Sequence, residues 1–159
     1  MVKIVLSMCL QTIFPHNSEA TNRTNWESWP KSKHPDQLSM AYEVQFELQY
    51  EPVYVADNRV PAFDERFQGY GDTRWTQAYE TYVAGYSFRV LDDAFLVHWG
   101  FQYAGRKPQW REDQQKANHW RLRGFGEDLK LKYGKDPLDL FSFALSSETL
   151  MRNSSRIGV

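Results

Sequence analysis

A chain of 159 residues is long enough for one compact domain with its own core and hardly long enough for two. A hydrophobic share of 42% and a net charge of −1 exclude wholesale disorder and the basic field that a nucleic-acid partner needs. The single cysteine, Cys9, excludes an intrachain disulfide, and no Cys/His spacing marks a zinc site.

Met1–Leu10 (MVKIVLSMCL) sets Lys3 ahead of an apolar run. The run is short and no small-residue cleavage site follows before Phe14-Pro15, so it reads as a strand or helix remnant rather than a targeting leader. No stretch approaches the roughly 20 apolar residues of a membrane span. Residues 11–40 are polar and broken by Pro15, Pro30 and Pro35, with Trp26 and Trp29 inside, which predicts a long loop. Tyr42–Leu48 alternates apolar and polar residues, the period of a half-buried strand, and Val53–Val55 is a second extended stretch ending at the turn Asp57-Asn58.

Phe63–Gly71 (FDERFQGYG) is a carboxylate-rich loop closing on two glycines. Thr76–Ala84 predicts a helix with Gly85 as its left-handed stop. Phe88–Leu91 predicts a strand, Asp92-Asp93 a turn, and Ala94–Val97 another strand that delivers His98. Trp120, Phe125 and Leu129 fit one amphipathic helix over 113–133, weakened at Gly124 and Gly126. Lys130–Lys135, followed by Asp136, reads as a solvated helix end, and the tail carries one apolar patch, Leu138–Leu145. There is no internal repeat, so the elements predict one mixed α/β unit. The 6 Trp, 9 Tyr and 10 Phe can fill its core or offer flat platforms to sugar rings; composition does not choose. Sequons at Asn22-Arg23-Thr24 and Asn153-Ser154-Ser155 permit lumenal residence.

Two segments carry chemistry. His98 follows an apolar strand, where open α/β sheets build their sites, and neutral imidazole ligates divalent transition metals. The plainer alternative is a hydrogen-bonded histidine at a sheet edge. In the 63–72 loop, Asp64 or Glu65 could take the proton from an attacking sugar hydroxyl, and the glycines would let backbone and aromatic edge approach a sugar. The plainer alternative is a helix start and tight turn with Arg66 paired to an acid. No nucleophile–base spacing points to a hydrolase.

Taken together, several blocks resemble one family: Tyr50-Glu51-Pro52, then Val60–Gly71 (VPAFDERFQGYG), Tyr79-Glu80, Ala84–Phe88 (AGYSF), Val90-Leu91 and Ala94–His98 (AFLVH). Their order and spacing are similar to the family of β-1,4-glucuronyltransferase and LARGE-type glucuronyltransferases over about Thr21–Tyr133. Phe95–Phe101 (FLVHWGF) and Glu127–Tyr133 (EDLKLKY) look closer to the β-1,4-glucuronyltransferase branch.

The resemblance implies an α/β, GT-A-type nucleotide-diphospho-sugar transferase fold with a mixed sheet, here partial, its amino-terminal nucleotide-binding half missing. It divides the chain into a leader or remnant strand (1–20), an acceptor-side part (21–135) and a tail (136–159). It implies inverting transfer of glucuronate from UDP-glucuronate to a glycan such as the O-mannosyl glycan of a glycoprotein. The cation would be Mn²⁺, the place the Golgi lumen, and the whole enzyme membrane-anchored. By position, Asp64 and Glu65 match the catalytic acids, Gly69, Tyr70, Gly71, Asp72 and Trp75 the substrate-binding segment, and His98 the metal ligand.

Two departures stand out. No Asp-x-Asp precedes Asp64, so His98 lacks co-ligands and the ion is not expected to be held by this chain alone. After Gly71 the family's aromatic–Asn–Lys-like continuation is replaced by Asp72-Thr73-Arg74-Trp75. The expectation is a truncated, inactive and poorly soluble chain. A non-catalytic carbohydrate-binding or structural remnant, with Trp26, Trp29, Tyr70 and Trp75 as stacking surfaces, is the alternative.

Overall fold

Strand β4 (Ser87–Phe95) organises the first half of the molecule, because Phe88, Val90, Leu91 and Asp92 are all buried. The computed structural model describes residues 2–7, 39–95, 108–140 and 142–147. These form two compact units. The first takes the described residues up to Ala62 and from Arg74 to Phe95; the second takes Phe63–Thr73 and the described residues from Pro108 onward. Where the sequence predicts one mixed unit, the structure groups the 63–73 loop with the helices that follow residue 108.

The first unit holds β1 (Val2–Ser7), β2 (Met40–Val44), β3 (Val53–Val55), nearly all of helix α1 (Thr73–Val83), and β4. The sheet order is β2-β4-β1-β3. β1 runs parallel to β4, with Val5 opposite Val90, and antiparallel to β3, with Val5 opposite Tyr54. β2 is antiparallel to β4, with Val44 opposite Phe88. The sheet is therefore mixed, and its first strand lies where the apolar run behind Lys3 was read as a strand or helix remnant.

Two sequence expectations shift, each for a visible reason. β2 stops at Val44 although the alternation continues through Phe46, because β4 begins at Ser87 and offers no further ladder partner. The chain then turns, with Gln49 at φ 66° and the Tyr50 N–H donating to the Glu47 carbonyl at 3.2 Å. No turn breaks the chain at Asp92-Asp93: β4 continues to Phe95, with a register shift against β1 that sets Val5 opposite Val90 and Ser7 opposite Phe95. Asp92 is tolerated there because its buried carboxylate accepts from the Ser39 N–H at 2.7 Å and from the Ser39 hydroxyl.

Helix α1 begins three residues earlier than predicted and ends as expected. Gly85 sits at φ 94°, and the Tyr86 N–H reaches back to the Thr81 carbonyl at 3.2 Å, closing a left-handed cap. The core of this unit is aromatic. Phe88 has the Phe46 ring centroid at 5.4 Å and the Tyr50 and Tyr54 rings edge-on at 6.4 and 5.3 Å, while Phe46 stacks on Tyr82 at 5.0 Å. Much of the aromatic excess is core here.

The second unit contains α2 (Gln109–His119) and α3 (Leu122–Tyr133), then helical residues at 142–147. The single predicted helix over 113–133 is thus two, broken at Trp120-Arg121. Their buried faces differ: α2 buries only Asn118 and His119, at its end, whereas α3 buries Leu122, Phe125, Gly126 and Leu129 at helical spacing. Gly134, at φ 68°, closes α3, its N–H donating to the Lys130 carbonyl at 2.9 Å. Phe67 enters from the loop and meets Phe125 edge-on at 5.3 Å.

Asn118 joins loop to helix. Its side-chain amide donates to the carbonyls of Gln68 (2.9 Å), Tyr70 (3.1 Å) and Gly71 (2.8 Å). Its oxygen accepts from the Gln68 N–H at 3.1 Å and from the Arg121 guanidinium at 2.9 Å. With two N–H hydrogens and one oxygen, the amide spends its whole hydrogen-bonding capacity on these partners.

Two substitutions test the two cores. Phe88→Ala is expected to cost about 3–5 kcal/mol, the range for a large ring removed from a packed core, read as a fall in the urea midpoint of the full chain. A loss below about 1 kcal/mol would contradict the placement of Phe88. Asn118→Asp, nearly isosteric but unable to donate, is expected to cost about 2 kcal/mol or more, since each stranded buried carbonyl costs about 1–3 kcal/mol. A wild-type midpoint for this variant would show that the loop is not held this way.

Candidate functional site

The loop sorts its two adjacent acids into different environments. Oδ1 of Asp64 accepts from the Arg66 N–H at 2.9 Å and from Arg66 Nε at 2.8 Å, and the Asp64 carbonyl accepts from the Phe67 N–H at 3.1 Å. This is an Asx-type turn, in which the carboxylate stands in for a backbone acceptor. Arg66 also reaches Asp128 of α3 at 2.5 Å. Burial disfavours the charged guanidinium, but hydrogen bonds and Coulomb attraction from Asp128 and Asp64 outweigh it and raise the Arg66 pKa.

Glu65, by contrast, is exposed. Among the described residues its carboxylate has neither hydrogen bond nor ion pair, and only its backbone carbonyl accepts, from Gln68 Nε2 at 3.5 Å. The preceding Phe63 ring is 60% exposed. One acid is committed to the turn; its neighbour is available.

Farther along, Gly69 and Gly71 have φ of 73° and 92°. A Cβ at Gly69 would fall 2.4 Å from Gln114 Oε1, and one at Gly71 would fall 3.0 Å from the Gln115 Cα. The left-handed backbone favours glycine at both; a Cβ at Gly71 would also press on the backbone of α2, and one at Gly69 would displace the end of the Gln114 side chain. Between them the Tyr70 N–H donates to Gln114 Oε1 at 2.8 Å, and the Arg111 guanidinium lies 5.1 Å from the Tyr70 ring centroid. Asp72, at φ 59°, is buried with its Oδ2 3.4 Å from Nδ1 of the buried His119.

Asp64, Glu65, Gly69, Tyr70, Gly71 and Asp72 thus lie on one loop of the second unit. Trp75 belongs to the first unit, on α1, and is 2% exposed, which leaves no open ring face. His98 lies outside the described residues, as do Trp26 and Trp29. Among the described residues no three His, Cys, Asp or Glu side chains converge to hold a metal ion, so these residues do not themselves fit a metal centre. None of the described helices is long and apolar enough to cross a membrane.

Sequence reasoning missed Arg111, Gln114, Asn118, His119 and Asp128. They sit some 40 to 60 positions downstream of the loop residues they touch, and no local pattern marks them.

Residues 8–134 match the family described as glycosyl-transferase for dystroglycan. The chain is 41% identical to beta-1,4-glucuronyltransferase 1 of Homo sapiens over 114 residues, covering 72% of this chain and 28% of the relative. It is 36% identical to the Danio rerio protein of the same name over 116 residues, covering 72% and 27%. With the glycosyltransferase-like protein LARGE of Caenorhabditis elegans it shares 30% identity over 100 residues, covering 57% and 16%. The chain spans little more than a quarter of the length of the glucuronyltransferases it matches. By these matches it belongs to the glycosyltransferase family described as glycosyl-transferase for dystroglycan.

Proposed function

We propose that this chain is the acceptor-side part of a GT-A-type glucuronyltransferase. The reaction is inverting transfer of glucuronate from UDP-glucuronate to a hydroxyl of a glycan, such as an O-mannosyl glycan of a glycoprotein, in the Golgi lumen. The observation that carries this reading is the division of labour in the loop: Asp64 is bound by Arg66, and Glu65 points its carboxylate to solvent beside the exposed Phe63. The names of the relatives support the sugar.

In this reading Glu65 takes the proton from the acceptor hydroxyl as its oxygen bonds to the anomeric carbon, and the bond from that carbon to the UDP oxygen breaks on the opposite face. Gly69, Tyr70, Gly71 and Asp72 position the acceptor, held by Gln114 and Asn118. Trp75 contributes by packing rather than by stacking on sugar. The UDP end of the donor falls to the nucleotide-binding half that the resemblance implies. Mn²⁺, with His98 as one ligand, would supply Lewis-acid neutralisation of the departing diphosphate when bound.

The exposed rings of Phe63 and Trp110 in the same unit also suit a second reading, a glycan-binding module without catalysis. Glycan retention in the presence of a chelator and in His98→Ala, without transfer, would point there.

The test is a transfer assay with Mn²⁺ and UDP-glucuronate on the longest polypeptide that carries this chain. Glu65→Gln is expected to lower kcat about 10²–10⁴-fold, the usual worth of a positioned base, with unchanged melting. Asp64→Asn is expected to lower the melting temperature, because it weakens the tie to Arg66. A Glu65→Gln enzyme that turns over at the wild-type rate would defeat the assignment.

A further inference from the structure

We propose that Trp110, Arg111 and Tyr70 of the second unit form a binding site for an anionic sugar, one that carries a carboxylate or a phosphate. The proposal rests on the acceptor-side reading of the loop and adds to it the charge of the sugar recognised.

Arg111 is the anomaly. Among the described residues every other arginine has an oxygen partner: Arg59 has Asp57, Arg66 has Asp64, Arg74 has Glu51, Arg89 has Glu43, Arg123 has Glu127, and Arg121 has the Asn118 amide oxygen. Among the described residues the Arg111 guanidinium meets only rings. Its guanidinium lies 5.1 Å from the Tyr70 centroid and 5.3 Å from that of Trp110. Nε is buried without a hydrogen-bond partner among the described residues. With Nε enclosed and two rings close by, the terminal Nη groups are the donors left for a ligand, and their planar pair matches the two oxygens of a carboxylate or phosphate. The residue is only half-buried, so part of it remains at the surface.

The surroundings favour an anion on a sugar rather than a bare ion. Trp110 is 54% exposed, a flat apolar face next to the charge and suited to the apolar face of a pyranose. Tyr70 is fixed beneath Arg111, because its N–H is held by Gln114 and its carbonyl by Asn118, so little ordering remains to be done on binding. Arg111 stands in the first turn of α2, whose N-cap, Pro108, makes no side-chain cap hydrogen bond. Glu112, the acidic residue of the same turn, is exposed, and among the described residues it forms no ion pair with Arg111.

The experiment is calorimetric titration of the full chain with three probes: a glucuronate-terminated disaccharide, its carboxyl-reduced neutral counterpart, and glucose 6-phosphate. The glucuronate disaccharide or the sugar phosphate is expected to bind about tenfold or more tightly than the neutral sugar, as a charge-assisted bidentate contact implies. The margin should shrink as salt rises. Whichever anion shows the preference names its source. Arg111→Ala is expected to abolish the margin, and Trp110→Ala to weaken charged and neutral sugars alike.

Equal affinity for charged and neutral sugars, binding of none of the three, or an anion preference that survives Arg111→Ala would overturn the site. Should Arg111→Ala fail to fold, Trp110→Ala decides: unchanged affinity for the preferred anionic sugar overturns the proposal. The glucuronyl-transfer reading stands or falls separately, on the turnover of Glu65→Gln with a neutral acceptor.

Discussion

A single buried amide, that of Asn118, ties the loop at 68–71 to the helix beneath it. A loop of this kind has no ladder and no helix to satisfy its backbone, so its polar groups need partners from elsewhere. Asn118 supplies two donor hydrogens and an acceptor together, where a hydroxyl has one donor hydrogen and an ionised carboxylate none. The residue lies in the last turn of α2, and the helix break at Trp120-Arg121 follows immediately. Arg121, within the break, in turn donates to the same Asn118 oxygen.

From that tie the rest of the site follows. Gly69 and Gly71 take the left-handed backbone with which the loop lies against Gln114 and Gln115, where a Cβ would press on those residues. Upstream, Arg66 bridges the Asp64 turn to Asp128 of α3, and Phe67 seats the loop on Phe125. Charge pairing and ring packing thus hold one end, and amide hydrogen bonds the other. The groups left over are Glu65, Phe63, Trp110 and the edge of Arg111. These are what a sugar chain could meet.

How much of this could be read in the sequence depended on range. Period-two alternation located β2, the short extended run Phe88–Leu91 the start of β4, and the glycine stop the end of α1, because those signals act over a few residues. The loop at 63–71 stood out for the same reason, and the plainer reading of Arg66, paired to an acid, holds for Asp64 two residues away. Local signals failed where a distant partner reversed them. Asp92-Asp93 has the composition of a turn, yet Ser39 satisfies Asp92 and the strand continues. The run 113–133 has the composition of one helix, yet α2 buries no residue before Asn118 in its last turn and the buried apolar stripe belongs to α3. Asn118 itself had no mark at all, since its partners are about 50 residues upstream. His98, the residue on which the metal assignment leans, lies outside the described residues.

The measurement closest to the central claim is amide hydrogen exchange at Gln68 and Tyr70. Their N–H groups lie in a loop but donate to the side chains of Asn118 and Gln114 at 3.1 and 2.8 Å. Protection approaching that of the core amides of α3 is the expected result, opening only with the unit as a whole. Exchange at the rate of an open loop would mean that the amide of residue 118 does not hold this segment, and the site built on it would not stand.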